Sequence, residues 1–226
     1  MDPETPDDLA DRYDAVIFDA DGVLVELTDW KLVRDAVSET FRSFDVDPDP
    51  PDVEAMLGST LEDVKRVCAN HDIEPATFWY RRDMKVSETQ RQEIRAGRKG
   101  LYDDVQALDA LSQPLAVVSN NQQRTIDYLV HHNGMNGRFR RWYGRQPTLT
   151  DITRKKPSPH YLQKTLDTLQ PETALYVGDS QSDVVAAHRA GIDSAFIRRD
   201  HRRDYELDHE PTYEIETLRA LVDGER

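Results

Sequence analysis

The sequence predicts an α/β protein: a Rossmann-like parallel-sheet core with an all-α segment inserted after the first strand. Three observations carry that expectation. Short apolar runs (Ala15–Phe18, Leu115–Val118, Ala174–Val177) alternate with helical patterns at the start of the chain and again from about Leu101, the order that gives parallel strands joined by crossovers. Between Leu27 and about Gly100 no strand pattern occurs, and helical segments follow one another. Polar clusters fall at the ends of the apolar runs, where open α/β sheets bind ligands.

Asp14–Asp19 reads as a buried strand running into a polar loop. Trp30–Phe44, Pro51–Leu57, Leu61–His71 and Pro75–Ile94 read as helices. Asp29 precedes the first, Thr60 caps the third with Asp63 at the capping-box position, and Pro75 sits near the first turn of the fourth. Gly58 and Gly97 are stop signals. The second half opens with a helix at Asp103–Leu111, then strands at Pro114–Ser119, Phe139–Tyr143, Leu175–Gly178 and Ser194–Ile197. Helices near Gln122–Asn133, Pro159–Leu169, Asp183–Ala190 and Ile215–Val222 fill the gaps. The expected organisation is a core of residues 1–26 and 101–226 and a helical cap of residues 27–100. Linkers near Val25–Thr28 and Ala96–Leu101 join them, and such a pair suits a hinged cap. Gly97 and Gly100 make the second linker permissive, and Gly97-Arg-Lys-Gly100 reads as a simple loop.

The 226 residues include 43 Asp+Glu and 29 Lys+Arg, a net charge of −14. So negative a surface repels phosphate backbones and anionic membranes, so nucleic-acid and membrane partners are not expected. The 29 Asp outnumber the 14 Glu and the 22 Arg outnumber the 7 Lys, a bias similar to that of proteins from salt-accumulating halophiles. No apolar run is long enough to span a bilayer, the start has no signal-peptide pattern, and a lone Cys68 excludes an intrachain disulfide. A cytoplasmic protein, monomer or homodimer, is the expectation. Any anionic substrate then needs a local positive site.

The candidate chemistry sits at strand ends. The first strand runs into Asp19-Ala-Asp-Gly-Val-Leu24, two carboxylates and a glycine suited to a hard cation. The second ends in Ser119-Asn120, by itself a common turn pair. Lys155-Lys156-Pro157-Ser-Pro159 is either a surface loop or a source of positive charge at a helix start. The fourth strand ends in Gly178-Asp179-Ser-Gln-Ser-Asp183, which suits a metal or an N-cap by Asp179 or Ser180. Each cluster is weak alone; together they supply four Asp, one Lys and a hydroxyl.

In that order and spacing these residues resemble the four motifs of the haloacid dehalogenase-like (HAD) hydrolase superfamily: Asp19-Ala-Asp-Gly-Val, Ser119-Asn120, Lys156-Pro157-x-Pro159 and Gly178-Asp179-Ser-x-x-Asp183. The resemblance covers nearly the whole chain. The helical insert is similar to the cap of the phosphoglycolate phosphatase-like and β-phosphoglucomutase-like branch, and Gly58-Ser-Thr-Leu-Glu-Asp-Val64 is similar to the cap loop that reaches toward substrate, which brings Thr60 into the candidate set. The sequence departs from the branch at the small Ala20 and at Val25-Glu-Leu-Thr28.

The resemblance implies Mg²⁺-dependent hydrolysis of a small phosphorylated metabolite, phosphoglycolate among the candidates, through an aspartyl phosphate. Asp19 would be the nucleophile. Asp21 would be general acid and then base. Ser119, with the Asn120 N–H, would hold the phosphoryl oxygens, and Lys156 would neutralise charge. Asp19, Asp179 and the Asp21 carbonyl would ligate Mg²⁺, with Asp183 a direct or outer ligand. True dehalogenases lack the second Asp, so Asp21 argues against carbon–halogen cleavage. A phosphosugar mutase is the alternative, and an idle binding protein a further one. Arg145 and Arg154 could meet an anionic tail or be solvated loop arginines. Phe78, Trp79 and Tyr80 read as cap core, His131-His132 as a helix end, Cys68 as a small buried apolar residue, and His201-Arg-Arg203 as an exposed loop.

Overall fold

The computed structural model describes residues 8–222. Six strands form one parallel sheet: β1 (Ala15–Phe18), β2 (Leu115–Gln122), β3 (Phe139–Arg145), β4 (Ala174–Gly178), β5 (Asp193–Ile197) and β6 (Tyr213–Ile215), in the order β3-β2-β1-β4-β5-β6. β1 is central, with Phe18 level with Val117 on one side and Val177 on the other. Three strand ends therefore open at the same edge. The alternation of side chains sorts the apolar residues between two faces. Val16, Phe18, Val117, Leu175 and Val177 pack on one, and Ile17, Ala116, Val118 and Tyr176 on the other. Both faces are covered, which explains why the strands read as continuous apolar runs.

Helices α1 (Trp30–Arg42), α2 (Pro50–Ala55), α3 (Leu61–Asn70) and α4 (Pro75–Arg95) follow β1. Asp29 caps α1 by accepting from the Lys31 N–H, Thr60 and Asp63 form the capping box of α3, and Glu74 caps α4. The helices share their own apolar cluster, with Phe41 and Phe78 rings 4.6 Å apart. That cluster also takes in Ile152, from the short α6 (Leu149–Ile152) that follows β3. The two linkers run side by side: Val25 bridges Leu101, and the Glu26 N–H donates to the Gly100 carbonyl at 3.0 Å.

Helices α5 (Gln123–His132), α7 (His160–Leu169) and α8 (Gln181–Ala190) complete the sheet layers. The structure corrects the expected elements in four places. Asp103–Ala110 is a 3₁₀ helix, whose short run the apolar period does not separate from an α-helix. The helix expected at Ile215–Val222 is the end of β6 plus a 3₁₀ turn at Leu218–Leu221, because Tyr213, Glu214 and Ile215 pair with β5 at the sheet edge. β2 runs past Ser119 to Gln122 through a register shift. Gly58 does not stop α2, which ends at Ala55. No helix among the described residues is long and apolar enough to cross a membrane.

Candidate active site

Asp19 follows β1, Asp179 follows β4, and Asp183 lies in the first turn of α8. Each offers a carboxylate oxygen within 4.8 Å of the others, and all three residues are buried. The backbone explains the convergence. The Asp19 N–H donates to the Val177 carbonyl at 2.9 Å, continuing the β1–β4 ladder one residue beyond the strand. Asp183 is fixed at the mouth of α8, accepting from the Asp179 N–H, the Ser180 N–H and the Ser180 hydroxyl at 3.2, 3.0 and 2.6 Å. Two glycines keep the site tight. A Cβ on Gly22, whose φ is +77°, would collide with the Asp179 carboxylate, and one on Gly178 would collide with Asp183.

Lys156 brings the opposing charge. Its ammonium lies 2.9 Å from Asp19 Oδ2 and 2.6 Å from Asp183 Oδ1, and donates to the Tyr176 hydroxyl at 2.6 Å. Burial alone would lower the pKa of Lys156, yet Asp183 and Asp19 hold it above the ordinary lysine value. For Asp19, burial and the charges of Asp183, Asp179 and Asp21 outweigh Lys156 and push the carboxyl up to about 7. The buried Lys156 ammonium thus faces Asp19 and Asp183, and the partly exposed Arg202 guanidinium faces Asp179, so two cations meet three buried carboxylates. A divalent cation with oxygen-ligand preference would relieve that excess, so the donor set fits Mg²⁺.

The other predicted residues are placed as follows. Ser119 is buried, and its hydroxyl accepts from the Asn121 N–H at 3.2 Å. The Asn120 side chain clamps the Lys156 backbone, its Oδ1 accepting from the Lys156 N–H at 2.7 Å and its Nδ2 donating to the Lys156 carbonyl at 3.2 Å. The Asp21 side chain does not belong to the three-carboxylate cluster. Its Oδ2 accepts from Asn121 Nδ2 at 2.8 Å, and its Oδ1 pairs with Lys99, whose ammonium also reaches Thr28 and Gln90. Thr60 departs from its expected place. It is exposed, its hydroxyl donates to Asp63 at 2.6 Å within the α3 cap, and it does not line the cleft. The loop before it is held instead by Lys155, which donates to the Ser59 carbonyl at 2.7 Å.

A cleft of about 540 Å³ lies between the helical insert and the sheet edge. Asp21, Asn120 and Lys156 line it from the core, Trp79, Arg82 and Gln90 from α4. Arg145 lines it as well, whereas Arg154 pairs with Asp151 at 3.3 Å and does not. Trp79 is buried but Tyr80 is 52% exposed, so the aromatic pair is not uniformly core. His201 and Arg202, read from sequence as an exposed loop, bond Asp179 Oδ2 at 2.7 and 3.1 Å. Sequence reasoning also missed Lys99 and Tyr176. Tyr176 had one signal, the single side-chain hydroxyl in an otherwise apolar strand; Lys99 sits in what reads as a plain loop.

The chain is similar to several known proteins. A pyrophosphatase PpaX from Bacillus cereus (strain B4264) is 24% identical over 189 residues, covering 82% of this chain and 83% of that protein. The structure resembles CbbY from Rhodobacter sphaeroides in complex with phosphate, with a TM-score of 0.68 at 21% identity, covering 92% of this chain and 95% of that one. It also resembles a predicted phosphoglycolate phosphatase from Haemophilus somnus 129PT, with a TM-score of 0.62 at 20% identity, covering 93% and 97%. Residues 16–197, the span from β1 through the end of β5 that holds every motif described above, match the haloacid dehalogenase-like hydrolase family, and to that family the chain belongs.

Proposed function

We propose that the protein is a Mg²⁺-dependent phosphatase of small phosphomonoesters, working through an aspartyl phosphate on Asp19, with residues 27–100 acting as a cap. The observation that carries this reading is the triad of buried carboxylates around one buried ammonium, with a further carboxyl, Asp21, on the same loop. Mg²⁺, held by Asp19, Asp179 and the Asp21 carbonyl with Asp183 close by, would screen the repulsion between nucleophile and phosphate.

The Asp19 carboxylate attacks phosphorus, and the bond to the leaving oxygen breaks as Asp21 gives that oxygen a proton. The resulting acyl phosphate is cleaved by water, whose proton Asp21 takes back. The Ser119 hydroxyl and the Asn120 N–H bind phosphoryl oxygens. Lys156 stays charged because Asp183 and Asp19 stabilise its ammonium, so it can offset charge building on the transferring group. Asn120 fixes the backbone from which Lys156 projects. Pyrophosphate and phosphoglycolate, after the names that two similar proteins carry, belong among the substrates to be tried.

The test is phosphate release from an aryl phosphate, with and without Mg²⁺, in low and multimolar salt. Mg²⁺-dependent turnover that Asp19→Asn abolishes supports the reading. No turnover in any salt refutes it.

A further inference from the structure

The turn that follows β5 reaches back into the site from beyond the span that matches the family, which ends at Ile197. Asp200–Arg202 forms a single 3₁₀ turn, and its last two side chains both settle on Asp179. His201 Nε2 donates to Oδ2 at 2.7 Å, and Arg202 Nε donates to the same oxygen at 3.1 Å. Neighbouring arginines fix the turn. Arg198 Nη1 donates to the Arg202, Arg203 and Tyr205 carbonyls at 3.1, 3.4 and 3.0 Å, and Glu214 on β6 accepts from Arg198 Nη2 at 2.8 Å. Arg199 ties the turn to the loop of Asp19 and Asp21, donating to the Val23 carbonyl at 2.7 Å and pairing with Asp104. That loop is shaped in return, because a Cβ on Gly22 would lie 3.0 Å from His201 Nε2.

Both bonds fall on Oδ2 of Asp179, which leaves Oδ1 without a hydrogen-bond donor among the described residues and available to a cation. Hydrogen bonds of this kind hold a metal-binding carboxylate in one orientation. Arg202 also lines the cleft with Asp21, Asn120 and Lys156. Its guanidinium is backed by the Tyr205 ring, 4.8 Å from the centroid, and makes no other hydrogen bond among the described residues. Charge decides what that guanidinium adds. Asp19, Asp179 and Asp183 oppose Lys156 and Arg202, and Asp21 is matched by Lys99, so the centre carries one net negative charge. A divalent cation reverses it to one positive. Without Arg202 the loaded centre would be neutral, with no net attraction for a phosphate dianion in a chain of net charge −14.

Resting on the phosphatase reading, we propose that this turn belongs to the catalytic centre, with separable roles for its two side chains. His201 is a positioning residue that sets the Asp179 carboxylate for Mg²⁺. Arg202 is a catalytic residue that binds oxygens of the transferring phosphoryl group and adds its charge to that of Lys156. A guanidinium suits this place better than an ammonium. Its planar fork lets Nε stay on Asp179 while the Nη groups meet phosphoryl oxygens.

Isothermal titration of the full chain separates the two roles, with Mg²⁺ titrated first and inorganic phosphate then titrated at saturating Mg²⁺. His201→Ala should weaken Mg²⁺ binding about 10–100-fold and leave phosphate binding at saturating Mg²⁺ unchanged. Arg202→Met should do the opposite. Phosphate should weaken about 10–100-fold, the scale of a charge-assisted contact, while Mg²⁺ binds no more weakly because a neighbouring positive charge is gone. Arg202→Lys keeps the charge and should recover most of the phosphate affinity. The two side chains are 24% and 28% exposed, so the variants should keep the parent circular dichroism and Tm. Should either truncation lower Tm, His201→Phe and Arg202→Gln, which keep more of the side chain, make the same comparison. Parent-like Mg²⁺ binding without the imidazole overturns the role of His201. Parent-like phosphate binding without the guanidinium, or an Arg202→Lys variant as weak as Arg202→Met, overturns the role of Arg202. In each case the phosphatase reading stands on the turnover of the parent chain. A parent that binds no Mg²⁺ and releases no phosphate overturns that reading, and the role of the turn with it.

Discussion

Asp83→Asn keeps the shape of the side chain and removes its charge, and the consequence for stability follows from the contacts. The carboxylate lies between Arg82 and Arg145, all three residues at most 4% exposed. Burial alone would raise the Asp83 pKa; Arg145 and Arg82 reverse that and hold it below the usual carboxylate range. In the variant two buried guanidiniums face one another across a neutral amide whose NH₂ can accept nothing. Breaking a buried pair from one side costs about 3–5 kcal/mol. In a chain of this length that lowers Tm by about 6–20 °C. Urea and thermal unfolding, in low and multimolar salt, measure it, with Lys85→Gln as the control. Lys85 pairs with Glu39 at the surface, both about half exposed, so its loss should stay within about 1 kcal/mol. The pH dependence has a fixed sign. A carboxyl depressed by folding contributes its full stability above the unfolded range, near pH 4, and loses it as pH falls through the folded value. Asp83→Asn should therefore flatten the acid limb of the stability curve. A loss no larger than that of Lys85→Gln would show that the guanidiniums do not depend on Asp83.

Other outcomes are expected. Asp19→Asn should fold normally by circular dichroism and retain less than about 10⁻³ of the parent kcat. Chelation should abolish turnover and Mg²⁺ should restore it, followed by phosphate release. The Cys68 thiol is fully buried and burial, with Glu74, pushes it up to about 11; a disulfide reagent should label it only on unfolding. If the acidic surface is an adaptation to salt, Tm should rise continuously from low to multimolar KCl, and a flat response would remove that reading.

The strand ends were legible because each combines an apolar run with the polar residues that follow it. Asp19, Ser119, Asp179 and Asp183 needed only the strand positions and the rule that parallel strands end at one edge. Lys156 could be chosen over Lys155 because it precedes Pro157 in the family pattern. What the sequence concealed depends on how the insert seats. Lys99 meets Asp21 across 78 residues and Arg145 meets Asp83 across 62, and neither pairing leaves a local pattern. Thr60 illustrates the reverse error: its capping box was readable, yet that same hydrogen bonding keeps its hydroxyl within α3. β6 was lost because three residues cannot establish an alternation, and its last residue looks equally like the start of a helix.

Ile152 has a wider consequence. It belongs by sequence to the sheet half of the chain, yet it is buried in the apolar cluster of α1–α4. Arg145, on β3, finds its carboxylate on α4. Residues 27–100 are therefore not a detachable module. A chain with β1 joined directly to Leu101 would bare an isoleucine and strand a buried guanidinium without its counterion. It should aggregate or fold poorly, however well its catalytic motifs are preserved. Grafting this insert onto another core of the same family would meet the mirror problem, because the recipient would have to supply both an aliphatic plug and an arginine at matching positions.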